Sequence, residues 1–288
     1  MTAAIPILYA CGAALLIALR PNFAKLGGKK SAPSLSAALY ATVVFAVYLA
    51  SAILGDTIRD VFSVDNLTLL KLLGAAMLRA LIWLCLFAAL STGTVNRVMP
   101  LYLLTDVLLT VISLITQKTR PGIWQLCCIL LVLLGAVMTE SRSRRGKSVK
   151  WFLFGLTALL CNVGINLYYT YVLKDVAQGP IRVGETGLAA VLLWILSASG
   201  KAFNSFRKME ADSWLFLILT GLSAAVAVFF ETQTSGISDP TVLNPIRCAI
   251  LPLTVLLARL IHKEKMPGSA VLGVALFTIG TFGLMLNL

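Results

Sequence analysis

The stretches VNRVMPLYLLTDVLLTVISLITQKTRPGIWQLCCILLVLL (residues 95–134) and VLNPIRCAILPLTVLLARLIHKEKMPGSAVLGVALFTIG (residues 242–280) read alike. Each opens as an apolar helix with a proline near its start, Pro100 in one and Pro245 in the other. Each then meets a short polar turn, Gln117-Lys118-Thr119-Arg120-Pro121-Gly122 or His262-Lys263-Glu264-Lys265-Met266-Pro267-Gly268, and resumes as a second apolar helix. Pro121-Gly122 and Pro267-Gly268 stand 146 residues apart in a chain of 288. The second half of the chain therefore reads as a copy of the first.

Composition sets the medium. The chain is 59% hydrophobic and 12% charged, with a mean hydropathy of +0.91, where a soluble domain carries about 25% charged residues. The apolar runs are about 20 residues long, enough as helices to cross a hydrocarbon layer of about 30 Å. A membrane strand would need only about 10 alternating residues, so helices rather than a barrel are expected. The first run has no basic segment before it, since Arg20 is the first charge, and it ends without a small-x-small cleavage site, so it counts as a membrane helix. The expected fold class is thus an all-α membrane protein. Its net charge of +12 lies mainly in short loops. Basic loops belong at a membrane face, and nucleic acid is not an expected partner.

Ten apolar segments span residues 4–23, 34–54, 68–91, 94–116, 121–139, 149–172, 184–203, 212–235, 239–261 and 267–287. The most basic stretch, SRSRRGKSVK (141–150), falls between the fifth and sixth and divides a first repeat, 1–140, from a second, 151–288. Five crossings is an odd number, so the second repeat must lie upside down relative to the first. Inverted repeats with interrupted helices at matching points are a transporter architecture, with the site at the repeat interface near the bilayer middle. Alternate loops give the orientation: the set beginning with the 1–2 loop holds 16 Lys and Arg, the other set 6. The positive-inside rule puts the first set in the cytoplasm and both termini outside, in a plasma (inner) membrane by default.

On these residues the chain resembles the drug/metabolite transporter superfamily, in particular its EamA-like ten-helix members built from two five-helix repeats. Pro100 and Pro245 match that family's prolines early in the fourth and ninth helices. Glu264 matches the acidic residue of its closing turn, Lys25 its lysine after the first helix, and Gly273, Gly280 and Gly283 its glycine-rich last helix. The first-half turn departs from the pattern, with Gln117-Lys118 and no glutamate. The resemblance implies an N-in, C-in orientation, opposite to the charge count, and the charge count is followed here.

An ionised side chain in hydrocarbon costs about 2.5–3.5 kcal/mol on insertion scales, so such residues are functional candidates. Arg79 and Asp106 lie on the third and fourth segments, Glu231 and Arg247 on the eighth and ninth, and Glu185 near the start of the seventh. Each adjacent pair reads either as a buried ion pair that fixes helix register or as substrate-binding charge. Arg247, just past Pro245 and Asn244, is the first choice for a carboxylate or phosphate ligand. Asp106, Glu231 and Glu185 are the candidates for ion pairing or proton coupling. Asn162, Asn166 and Tyr169 form a polar stripe, either bonding a neighbouring helix or lining a polar cavity. Trp83 and Tyr102, each four residues from a charge, and Phe230 read as packing or as apolar walls. The expected substrate-binding set is therefore Arg247, Arg79, Asn162, Asn166, Tyr169, Trp83, Tyr102 and Asn244, with Pro100 and Pro245 as helix breaks.

No catalytic set is expected. His262, the single histidine, is read as a solvated turn residue, and no HExxH, Walker A or GxGxxG stretch is present. The six cysteines form no ligand spacing and read as buried free thiols, with no metal and no cofactor. The expected function is a secondary-active transporter of a small polar or amphipathic metabolite, by alternating access between the repeats and not by enzymatic chemistry. The expected partners are a small-molecule substrate, membrane lipid, and a coupling proton or exchange substrate. The alternatives are an exporter of drugs or aromatic compounds, and a flippase for lipid-linked intermediates or an accessory membrane subunit.

Overall fold

The computed structural model describes residues 4–116, 122–140, 149–198, 201–207, 209–235, 248–264 and 266–286. Among them every regular element is helical. In chain order these are α1 (Ala4–Gly27), α2 (Pro33–Leu54), α3 (Ile58–Phe62), α4 (Asn66–Thr92), α5 (Val95–Thr116), α6 (Ile123–Glu140), α7 (Lys150–Tyr171), α8 (Gln178–Ser197), α9 (Lys201–Phe206), α10 (Ala211–Ser235), α11 (Ile250–His262) and α12 (Gly268–Leu286). Eight of them (α1, α2, α4, α5, α7, α8, α10 and α12) are long and apolar enough to cross a membrane, and α6 and α11 are shorter apolar helices. The stretch ahead of α11 lies outside the described residues, and with it Asn244, Pro245, Arg247 and most of the 239–261 segment. The turn 117–121 and the basic loop 141–148 lie outside them too.

Local chemistry explains the boundaries. Pro33 opens α2 in its first turn, where the absent N–H leaves no hydrogen bond unmade. Asp65 precedes α4 and accepts the Thr68 N–H at 3.2 Å, capping that helix. The bonds from Thr68 hold the exposed Asp65 carboxyl below the usual carboxylate range. Lys263 ends α11 in the left-handed region, φ 52°, a conformation common where helices stop.

The sequence expectation is corrected at several points. Pro100 does not break its helix: α5 runs unbroken from Val95 to Thr116 with Pro100 inside its second turn, where proline removes only one internal bond. The hydrophilic turn after α2 contains the short helix α3. The seventh segment, expected over 184–203, is α8 at 178–197 followed by the separate α9. Gly179 and Pro180 looked like loop residues but occupy the first turn of α8, where no N–H needs an internal partner. His262 is not a solvated turn residue: it closes α11, and its Nε2 is shielded from solvent. The six cysteines are free, but only Cys85, Cys128 and Cys248 are buried, while Cys11 and Cys127 are exposed on their helices.

The chain forms two compact units. One comprises residues 1–22, 93–152 and 226–288, the other residues 23–92 and 153–225. Each takes segments from both halves of the sequence.

In the first unit α6 and α12 lie backbone to backbone. A Cβ added to Gly135 would come 2.6 Å from the Gly273 carbonyl oxygen, and one added to Gly280 would come 2.8 Å from that of Cys128. Glycine permits an approach that any side chain would block, and dispersion between closely packed helices replaces a hydrophobic force that lipid does not supply. Trp124 Nε1 donates to the Gly283 carbonyl at 3.2 Å. Asn22, fully buried beside Pro21 in α1, donates to the carbonyls of Ala18 (3.0 Å) and Thr254 (3.3 Å), tying α1 to α11. The Glu264 carboxylate accepts the backbone N–H groups of Val95 (3.2 Å) and Asn96 (3.3 Å), so the turn between α11 and α12 caps α5.

In the second unit α8 packs between α2 and α4. Gly187 faces the Phe45 ring, and Gly184 faces Leu72. Leu72, Ala75, Leu173 and Ile181 form one apolar cluster, and Ala52, Val61 and Val183 another. Trp194 Nε1 donates to Thr42 Oγ1 at 2.9 Å, and Tyr168 Oη donates to the Lys71 carbonyl at 3.1 Å. The Ala32 N–H donates to Ser205 Oγ at 3.3 Å.

A buried arginine–tyrosine–glutamate network

The second unit holds a closed polar network inside its apolar helices. Arg79 stands at the midpoint of α4, thirteen residues from each end. Its Nε donates to Glu185 Oε1 on α8 at 2.5 Å. Arg79 Nη2 donates to the Tyr169 hydroxyl on α7, which in turn donates to Glu185 Oε2. The tyrosine oxygen thus serves as acceptor toward the arginine and donor toward the glutamate, the two functions a phenol has. Both carboxylate oxygens are engaged.

Depth follows from helix geometry. Glu185 lies seven residues into α8, about 10 Å from its start at 1.5 Å per residue. Helical side chains tilt toward the N-terminus of their own helix, so Arg79 reaches toward the end of α4 where Tyr168 meets Lys71. Tyr169, two residues from the end of α7, tilts inward to join it. The Arg79 side chain remains 24% exposed and that of Glu185 only 3%. The carboxylate is the more shielded member of the pair.

Aromatic rings hold the arginine in place. Its guanidinium carbon lies 5.9 Å from the Trp83 ring centre and 5.7 Å from that of Tyr169, within cation–π range. Tyr40 meets Trp83 edge-on at 5.0 Å. The i, i+4 relation of Arg79 and Trp83 read from the sequence is seen in this contact. Tyr48 on α2 packs with the Val183 cluster and lies within electrostatic reach of Arg79, Glu185 and Arg182.

The ion pair of Arg79 within this unit runs to Glu185. Asp106 is exposed on α5, with Tyr102 half-buried on the same helix, and Glu231 is half-buried near the end of α10; all three belong to the first unit. Asn166 donates its amide N–H to the carbonyl of Asn162, within α7, at 2.7 Å, and Tyr169 of the polar stripe joins the network. Phe230 packs against Tyr9 at 5.3 Å and covers Gly12. Tyr40, which packs on Trp83, escaped the sequence reading, as did Tyr48 and Arg182 near it. Arg182 precedes Glu185 by three residues, a same-face spacing on a helix. The segment had been started at Gly184, which left Arg182 in a loop.

The fold and its buried network define an integral, multi-pass membrane protein with a polar site inside apolar helices. Residues 4–141 match the EamA-like transporter family. The matched stretch is just under half of the 288-residue chain, and it likens this part of the protein to a transporter family. No curated protein matches the sequence. A solved crystal structure of a protein 18% identical shares the fold with a TM-score of 0.67, over 98% of this chain and 96% of that one.

Proposed function

We propose that the protein is a secondary-active transporter of a small polar or amphipathic metabolite, and not an enzyme, with the Arg79–Tyr169–Glu185 network as the heart of its substrate site. The observation that carries this reading is the network itself. An ionised pair and a phenol set within apolar helices are costly in lipid, and intramembrane charge of this kind marks substrate and ion pathways. Trp83 and Tyr169 beside the guanidinium favour a cargo with an apolar body, so export of aromatic compounds is the second reading.

In this account the chain crosses the membrane ten times as two inverted five-helix repeats, 1–140 and 151–288, with α6 and α11 as crossings despite their length. Support comes from the make-up of the units. Segments 4, 5, 9 and 10 belong to one, and segments 2, 3, 7 and most of 8 to the other, so these corresponding parts of both repeats share a unit, while segments 1 and 6 fall in different units. Alternating access would then be a motion of repeat-paired elements. The charge count places both termini outside a plasma membrane, and a proton or an exchanged solute supplies the driving force.

The test is uptake into proteoliposomes of amino acids, nucleotide sugars, sugar phosphates and quaternary amines, under a proton gradient and in exchange mode. Saturable movement of one chemical class is expected. Movement of none, together with scrambling of lipid-linked substrates, would favour the flippase reading instead.

A further inference from the structure

Ala32 and Ser205 stand 173 positions apart in sequence, yet the Ala32 N–H donates to Ser205 Oγ. Their contact joins two short junctions of the second unit. One is the single turn of 3-10 helix Gly28–Lys30 between α1 and α2, the other is α9 between α8 and α10. Gly27, at the end of α1, lies directly against α10: an added Cβ would come 2.7 Å from Leu217 Cγ. Both junctions are basic in sequence, with Lys25, Lys29, Lys30, Lys201, Arg207 and Lys208 against the acids Glu210 and Asp212. The Lys29 and Arg207 side chains are exposed. Aromatic rings fix the depth of this patch. Trp194 stands three residues before the end of α8, and Trp214 lies in the first turn of α10. Phe206, closing α9, packs against both, 6.3 Å from the Trp194 ring centre and 5.0 Å from that of Trp214. Tryptophans at the ends of membrane helices sit at the level of the lipid headgroups. Membrane topology needs only basic loops on one side; it does not need two distant junctions tied together at one spot.

We propose that the joined junctions form a binding surface for the headgroup of an anionic phospholipid, with Lys29 and Arg207 at the lipid phosphate and the Trp194–Phe206–Trp214 cluster beside the upper acyl chain. Charge and depth together name the occupant. Basic clusters at a membrane face attract anionic lipids, and a guanidinium can hold a phosphate in two-point geometry. A zwitterionic lipid carries its own cation beside the phosphate and gains less from such a patch. The surface shares no residue with the Arg79 network, and it does not depend on what the protein carries.

The test is lipid retention. The purified full-length protein is incubated in detergent with equal amounts of phosphatidylglycerol and phosphatidylcholine of identical acyl chains, repurified, and its bound lipid quantified by mass spectrometry. Each basic residue near an anionic surface contributes about a fivefold preference, so the wild type should retain phosphatidylglycerol over phosphatidylcholine by at least about that factor. Millimolar inorganic phosphate should not displace it. The ratio should fall toward one in Lys29→Gln/Arg207→Gln and hold in Lys29→Arg/Arg207→Lys, which keeps both charges. Arg59→Gln/Lys174→Gln removes the same charge from exposed positions of the same unit outside the two junctions, and should keep the preference. Equal retention of the two lipids by the wild type, or an unchanged ratio in Lys29→Gln/Arg207→Gln, would overturn the proposal. So would loss of the preference in either of the other two variants, or displacement of the lipid by inorganic phosphate.

Discussion

Arg79 and Glu185 are 106 positions apart in sequence and 2.5 Å apart in space, one from each half of the chain. Their ion pair joins α4 to α8 inside the second unit, with the Tyr169 hydroxyl closing the ring.

Removing one charge of such a pair leaves the other buried and uncompensated, which costs about 3–5 kcal/mol, whereas replacing both with apolar groups is often close to neutral. Arg79→Leu and Glu185→Leu should therefore each lower unfolding stability in detergent markedly. The double variant should recover most of the loss while remaining inactive in transport. Losses that simply add would show that the two residues do not interact.

Glu264 accepts two N–H groups at the start of α5. Carboxylates at this position complement the helix dipole, and losing a cap costs about 0.5–2 kcal/mol. Glu264→Ala should lower stability by about that amount and speed amide hydrogen exchange at Val95 and Asn96. Glu264→Gln, which keeps one acceptor, should fall between. Unchanged exchange at those two amides would show that the cap contributes nothing.

The α6–α12 contact depends on missing side chains. A Cβ at Gly273 would stand 2.7 Å from the Gly135 carbonyl oxygen and 2.8 Å from the Thr139 nitrogen, both backbone atoms. Gly273→Ala should destabilise by about 1–3 kcal/mol, the usual range for overpacking. Gly164→Ala is the matched control in α7: nothing lies within 4 Å of its added Cβ, so a small gain from helix propensity, up to about 1 kcal/mol, is expected there. Thermal unfolding of both variants decides the matter. Equal effects would mean that the close approach is not a constraint.

Orientation has a direct readout. Single cysteines placed at Lys29 and Asp56, in a background with the native cysteines removed, should react with a membrane-impermeant thiol reagent from opposite sides. The position 29 cysteine is expected to be reached from the cytoplasm and the position 56 cysteine from outside. The reverse pattern would refute the charge-based orientation.

Much of this was legible in the sequence because lipid imposes simple rules. Helices of about 20 apolar residues appear as such, and charges inside them appear as exceptions, so Arg79 was found from the pattern alone. So was the shared helical face of Arg79 and Trp83, because i, i+4 spacing is a local property. Gly273, Gly280 and Gly283 were recognised as a close-packing surface for the same reason. Partner choice was not legible. Sequence offers only proximity along the chain, whereas Glu185 comes beside Arg79 through tertiary packing of α8 against α4. The start of α8 was not legible, because Gly179 and Pro180 occupy the first turn of a helix they do not interrupt. The first-choice residue, Arg247, lies outside the described residues.

The most direct test of the central claim is counterflow transport by Tyr169→Phe. The substitution removes one oxygen that links Arg79 to Glu185 and retains the ring against Arg79. If the network is the substrate site, transport should fall at least tenfold while the melting temperature moves only by the few degrees expected for loss of a hydrogen bond worth about 1–2 kcal/mol. Wild-type transport by a folded Tyr169→Phe protein would contradict the account and return the network to a purely structural role.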